Sequence, residues 1–216
     1  MNNNIKGLIF DMDGLLFDSE RVVQQSWNYV GNMLGYGNLG EHIYHTIGMN
    51  RAGREIYFRE HVDTDFPMAR FNEMTRARYY EILQKFGIPT KPGAKELLQS
   101  AKKKGIRIAL ATSSSRDHAE AMLERYDLAK FFDGCVCGDM VTKSKPDPEI
   151  YEKARALIDI PAQNAVALED APSGVRSAEA AGMRVIMVPD LVEPSEEILA
   201  LVWKRCDSLS DVIELL

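Results

Sequence analysis

Cysteine is scarce in this sequence: there are three among 216 residues, an odd number, with Cys135 and Cys137 two positions apart. That excludes a disulfide framework, and the pair reads as core residues on one face of a buried strand. Positive charge is also short. Lysine and arginine number 26 against 32 acids, a formal net charge of −6, which argues against nucleic acid as the main partner because binding a phosphate backbone wants a basic surface. A small phosphorylated ligand needs only a local positive pocket and stays allowed. No apolar run approaches the roughly 20 residues that span a bilayer, and the opening "MNNNIKG" has neither a basic n-region nor an apolar h-region. The reading is a cytoplasmic protein with no membrane partner, monomeric or weakly homo-oligomeric. What is present is 45% apolar sequence, enough to bury one main core with room for an insertion.

Two textures follow along the chain. "IKGLIF" and, from residue 93 onward, "IRIALAT" (106–112), "FDGCVCG" (132–138), "AVALED" (165–170) and "MRVIMVP" (183–189) read as five strands separated by helical patterns. In "DPEIYEKARALI", Asp147 is the expected N-cap and Pro148 the first helical residue. Strand–helix alternation predicts an α/β fold with a doubly wound parallel sheet, whose ligand site lies beyond the carboxyl ends of the strands. Residues 19–87 instead carry helical periodicity, with Val23, Trp27, Val30 and Leu34 on one stripe and Phe71, Met74, Ile82, Leu83 and Phe86 on another. They form an inserted helical domain, leaving 1–18 and 88–216 as the α/β core. The breaker-rich "GIPTKPG" (87–93) closes the insertion.

The predicted strand ends carry the chemistry. Asp11 and Asp13 follow the first strand, Thr112 and Ser113 the second, Lys145 in "KSKPDP" lies beyond the third, and Glu169 and Asp170 end the fourth. Like charges held that close repel unless something compensates them. Oxygen ligands in such a cluster suit Mg²⁺, which binds through one or two carboxylates together with substrate phosphate and water. Lys145 adds a second positive charge and Thr112 a hydrogen-bond donor for a phosphoryl group. An aspartate can attack phosphorus and split a hard hydrolysis into two steps, the role given to Asp11. Asp13, two residues later, is placed to protonate the leaving alkoxide and then to take a proton from water.

"DMDGLLFDSE", "LATSSS", "KSKPDPEIY" and "ALEDAPSGV" resemble, in order, the four motifs of the haloacid dehalogenase superfamily of phosphohydrolases. The helical insertion resembles that superfamily's C1-type cap, and the chain is similar to the branch holding β-phosphoglucomutases, sugar-phosphate phosphatases and pseudouridine 5′-phosphatase. The resemblance implies a Rossmann-like core and a hydrolase of small phosphorylated metabolites. It implies Asp11 as nucleophile, Asp13 as acid/base, and Thr112 and Lys145 as phosphoryl contacts. It also implies Mg²⁺ held by the Asp11 carboxylate, the Asp13 backbone carbonyl and Asp170, with Glu169 a ligand directly or through water. Asp13 argues against the halide-cleaving members, which lack this acid.

Other patterns carry less. "GYGNLG" (35–40) matches a dinucleotide-binding pattern but follows a helical stripe instead of a strand, and reads as a loop. His42 and His45 lack a further clustered ligand for a metal. Substrate choice is expected in the cap, where "TIGMNRAG" (46–53) sits at the branch's specificity loop, making Gly48 and Arg51 substrate-binding candidates, with Ser113 and Arg116 as further ones. The main alternative is a phosphomutase. In β-phosphoglucomutases a histidine and a lysine of the cap match Val23 and Ile47 here, neither able to transfer a proton, which favours hydrolysis. A non-enzymatic phospho-receiver of about 120 residues would have no inserted domain.

Overall fold

The computed structural model describes residues 5–47, 49 and 51–216. In chain order the elements are β1 (Gly7–Phe10), α1 (Ser19–Leu34), α2 (Ile43–Thr46), α3 (Arg51–His61), α4 (Met68–Phe86), α5 (Ala94–Lys103), β2 (Arg107–Ala111), α6 (Arg116–Arg125), β3 (Gly134–Val136), α7 (Glu149–Leu157), β4 (Ala165–Glu169), α8 (Pro172–Ala180), β5 (Arg184–Met187), α9 (Glu196–Leu199), β6 (Lys204–Arg205) and α10 (Leu209–Val212). The chain divides into two compact units, Met1–Leu16 with Thr90–Leu216, and Phe17–Pro89. No helix among the described residues is long and apolar enough to cross a membrane.

The first unit holds a six-stranded sheet in the order β3-β2-β1-β4-β5-β6, with every pair parallel. Five of these strands follow from apolar runs in the sequence. The sixth, Lys204–Arg205, is two exposed residues recruited by pairing Ile186 with Lys204, and no apolar run announces it. Both faces of the sheet are covered, which is why the strands read as unbroken apolar runs instead of alternating ones. Ile9, Ala109, Ala111, Ala167 and Met187 share one face with Ile150, Tyr151 and Ala154 of α7 and Val175 and Ala178 of α8. The alternate residues Leu8, Phe10, Leu110 and Leu168 are wholly buried on the other. Burying a side chain such as Phe10 completely stabilises the fold by about 1.5–3 kcal/mol.

β1 is central, and the strand order reverses at it: β2 lies on one side and β4 on the other, the topology that opens a crevice at the carboxyl ends. Register sets which residues meet there. Phe10 pairs with Leu110 and with Leu168, so the residues one step further, Asp11, Ala111 and Glu169, stand at one level.

Two local expectations shift. α7 begins at Glu149 with Pro148 as its cap, one residue later than predicted, because Pro148 stays outside the helix. The Asp147 carboxylate still accepts the Glu149 N–H at 3.1 Å. Cys137 is buried but Cys135 only half-buried, since β3 is three residues long and Cys137 falls just beyond it. Burial pushes the Cys137 thiol up to about 11, leaving little thiolate at neutral pH.

In the second unit α1 packs along α4, and Trp27, Phe58, Phe66 and Phe71 interlock with ring centroids 4.8–5.6 Å apart, within the range in which aromatic pairs attract. The buried seam of α1 runs through Val22, Ser26, Trp27 and Val30, while Val23 and Leu34 are only half-buried. Ser26 joins the seam because its hydroxyl is satisfied by the Val22 carbonyl at 2.7 Å. Phe86, expected on the apolar stripe, is 72% exposed: α4 runs 19 residues and outlasts the 16 of α1. Gly35 caps α1, and "GYGNLG" is the loop that follows it.

Candidate active site

The site builds from β1. The Asp11 N–H extends the ladder by donating to the Leu168 carbonyl at 3.0 Å, which fixes where the carboxylate leaves the strand end. Gly14, at φ 82, turns the chain in a conformation that a side chain disfavours. Asp13 is left half-buried, its Oδ2 accepting the Ser114 hydroxyl at 2.8 Å. Thr112 is wholly buried; its N–H donates to the Val136 carbonyl at 3.1 Å and its Oγ1 accepts the Ser114 N–H at 3.1 Å.

Lys145 arrives from the loop before α7 with its ammonium buried. It donates to Asp11 Oδ1 at 2.6 Å, Glu169 Oε1 at 2.6 Å and the Ala111 carbonyl at 3.0 Å. Three acceptors use the three ammonium protons. Glu169 is saturated in the same way. Its Oε1 also takes the Tyr151 hydroxyl at 2.5 Å, and its Oε2 takes the backbone N–H groups of Asp170 and Ala171 at 3.2 and 3.4 Å. A glycine makes this possible: a β-carbon at Gly174, in the first turn of α8, would run into the Glu169 carboxylate.

The charges do not balance. One carboxylate oxygen each from Asp11, Glu169 and Asp170 lies within 4.8 Å of the others, all three residues buried, and Lys145 bridges two of them. Burial above all pushes the Asp11 carboxyl up, to about 8; Glu169 and Asp13 push the same way, against the pull of Lys145. Burial works to lower the Lys145 ammonium, but Asp11 and Glu169 outweigh it and raise it. The direction for both is that of a proton retained in an acidic, dry cluster.

The predicted residues Asp11, Asp13, Thr112, Lys145, Glu169 and Asp170 thus gather at one edge of the sheet. Ser113 is exposed. The Arg116 side chain is 60% exposed and pairs with Glu120 at 2.7 Å along the surface of α6. Ser115 holds the N-cap position of α6 without a side-chain bond, and the Asp139 carboxylate takes the Arg116 N–H instead. Gly48 lies outside the described residues, as does the side chain of Arg51, whose backbone opens α3. Tyr151, Ser114 and Gly174 carry no signal of their own in the sequence. Each sits inside a motif, but the partner that gives it meaning lies elsewhere in the chain.

The description "haloacid dehalogenase-like hydrolase" matches residues 8–188. The chain belongs to that family. It is 31% identical over 202 residues to protein CbbY of Cereibacter sphaeroides, covering 89% of this chain and 88% of the relative. It is 32% identical over 183 residues to the phosphorylated carbohydrates phosphatase of Thermotoga maritima, covering 84% of each. A crystal structure of a CbbY mutant from Rhodobacter sphaeroides in complex with xylulose-(1,5)bisphosphate superposes with a TM-score of 0.78 at 29% identity, covering 96% of both chains.

Haloacid dehalogenase-like hydrolases generally use Mg²⁺, and the cluster fits such an ion. Its donors are oxygens only, the preference of a hard cation, and its acids outnumber the ammonium that Asp11 and Glu169 share. Glu169 is the acid already committed to four donors.

Proposed function

We propose that this phosphoric monoester hydrolase is a Mg²⁺-dependent phosphatase of small phosphorylated sugars that works through an aspartyl-phosphate on Asp11. The observation that carries the reading is the buried Asp11 carboxylate at the end of the central strand, 2.6 Å from Lys145, with the half-buried Asp13 carboxylate two residues further on. An Asp11 oxygen bonds to phosphorus as the ester P–O bond breaks, and Asp13 delivers its proton to the departing alkoxide. Water then adds to phosphorus, giving a proton to the Asp13 carboxylate, and the Asp11–phosphorus bond breaks to release phosphate, leaving Asp11 again a carboxylate and Asp13 again protonated. Lys145 and Thr112 orient the phosphoryl oxygens and offset their charge. Asp11, Asp170 and the Asp13 carbonyl, with Glu169 in support, would hold Mg²⁺, which when bound would supply the positive charge that the acids and the phosphoryl group together need.

A sugar phosphate is favoured because one relative is named a phosphatase of phosphorylated carbohydrates and a structural neighbour holds a sugar bisphosphate. The residues of the α/β unit address only the phosphoryl group, so the helical unit, Phe17–Pro89, is the proposed cap that reads the sugar. The test is phosphate release from a panel of sugar mono- and bisphosphates, nucleotides and pseudouridine 5′-phosphate, with Mg²⁺ and with chelator. Release from a sugar phosphate that chelator abolishes is expected. Conversion of β-glucose 1-phosphate to glucose 6-phosphate faster than phosphate appears would replace the reading with a phosphomutase.

A further inference from the structure

Tyr151 is wholly buried on the side of α7 that packs against the sheet, yet it carries a hydroxyl into the acidic cluster. Its oxygen is 2.5 Å from Glu169 Oε1 and 3.4 Å from the Lys145 ammonium, whose nitrogen also lies 4.9 Å from the ring centroid. The ammonium has three protons, and Asp11, Glu169 and Ala111 accept them at 2.6, 2.6 and 3.0 Å. Tyr151 therefore has its own proton to give, and Glu169 Oε1 takes it. Two donors, Lys145 and Tyr151, share one carboxylate oxygen.

That sharing bears on the phosphoryl group. Lys145 has no proton left over, so to reach a phosphoryl oxygen it must release one of its three acceptors. Letting go of Glu169 would ordinarily strand a buried carboxylate, which costs about as much as a lost charge-assisted hydrogen bond. Here the Tyr151 hydroxyl stays on Oε1 and the amides of Asp170 and Ala171 stay on Oε2, so the carboxylate remains solvated by protein when the lysine turns. Resting on the phosphatase reading above, we propose that Tyr151 is a positioning residue: its hydroxyl competes with Lys145 for Glu169 and thereby sets how readily the lysine engages the substrate phosphoryl group. It touches neither substrate nor metal and acts through Glu169 and Lys145.

The experiment measures binding of inorganic phosphate to the Mg²⁺-loaded protein by calorimetry, alongside KM and kcat for a sugar phosphate and the thermal midpoint. Tyr151→Phe keeps the ring and removes the competing donor, so Lys145 stays with Glu169. Phosphate affinity is expected to fall about fivefold, the worth of a net hydrogen bond, with KM rising more than kcat falls. 3-Fluorotyrosine placed at 151 donates more strongly and should tighten phosphate binding. Unchanged phosphate affinity in Tyr151→Phe, with any loss confined to thermal midpoint or kcat, would overturn the proposal and leave the residue a packing element. Should Tyr151→Phe fail to fold, the fluorotyrosine protein decides: tighter phosphate binding supports the competition, and unchanged or weaker binding overturns it. Failure of the wild-type protein to release phosphate from any monoester would instead sink the phosphatase reading itself.

Discussion

The Ser114 hydroxyl donates to Asp13 Oδ2 at 2.8 Å across 101 residues of sequence, tying the loop after β2 to the turn after β1. Ser114 is in turn held by its own N–H on Thr112 Oγ1. The bond restrains the carboxylate that is proposed to trade protons with the leaving group and with water. A proton donor misplaced by an ångström loses much of its effect. Ser114→Ala should therefore lower kcat by about tenfold, a part of the roughly 10²–10⁴-fold that a positioned general acid–base contributes, while KM changes little. Steady-state kinetics on a sugar phosphate check this; an unchanged kcat would mean that Asp13 needs no such restraint.

Gly174 supports the same cluster from beneath. A β-carbon there meets the Glu169 carboxylate head-on, and the backbone of the first turn of α8 cannot yield without moving the strand end that precedes it. Overpacking of this kind costs about 1–3 kcal/mol. Because Glu169 holds Lys145 at 2.6 Å, Gly174→Ala should lose turnover as well as stability. Urea denaturation together with phosphate release gives both quantities, and a variant normal in both would show that Glu169 has room to move.

How far the sequence foretold this arrangement depends on whether a residue's meaning is local. Asp11, Asp13, Glu169 and Asp170 stand at the ends of apolar runs, and a parallel sheet gathers its strand ends whatever the loops do. Lys145 was legible from the breaker-rich "KSKPDP" around it. Tyr151 was not, because it falls on the apolar stripe of α7 with Ile150 and Ala154 and its ring does belong to the core. Only the partner of its hydroxyl, 18 residues away, distinguishes it. Arg116 reads as available from its place just after the second motif, but Glu120 on the same helix face takes it in a surface ion pair of small worth. β6 was invisible for a related reason: two exposed residues carry no pattern until a neighbouring strand pairs with them.

Asp11 links the site to stability. Its carboxyl is raised from 3.8 to about 8, chiefly by burial and also by Glu169 and Asp13, against the pull of Lys145. A raised carboxyl means that the folded state prefers the proton, so without metal folding is penalised increasingly as pH climbs from about 4 towards 8. Asp11→Asn removes the charge and should abolish turnover. In chelator it should also raise the thermal midpoint relative to wild type, most at pH 8 and least at pH 5. Adding Mg²⁺ should narrow or invert that gap, because wild type gains more from binding the cation. Melting curves at pH 5, 6.5 and 8, in chelator and in Mg²⁺, test this; a gain as large at pH 5 as at pH 8 would contradict it.

A second pH effect belongs to the helical unit alone. Three histidines surround Tyr57: His42 Nδ1 lies 3.1 Å from its hydroxyl, His61 stacks on the ring at 4.3 Å between centroids, and His45 stacks at 5.9 Å. Burial lowers the His42 imidazole first, and the neighbouring His45 and His61 lower it further, with Glu41 opposing. A lowered histidine is held neutral in the fold, so the unfolded chain takes up its proton first, near 6.5, and stability present above that pH is lost as pH falls below it. The helical unit should therefore melt at a lower temperature at pH 5.5 than at pH 7.5, and His42→Gln should shrink the difference. Trp27 lies in this unit and Trp203 in the other, so Trp27 fluorescence in a Trp203→Phe background reports the helical unit selectively. An equal pH dependence with and without His42 would assign the effect to other groups.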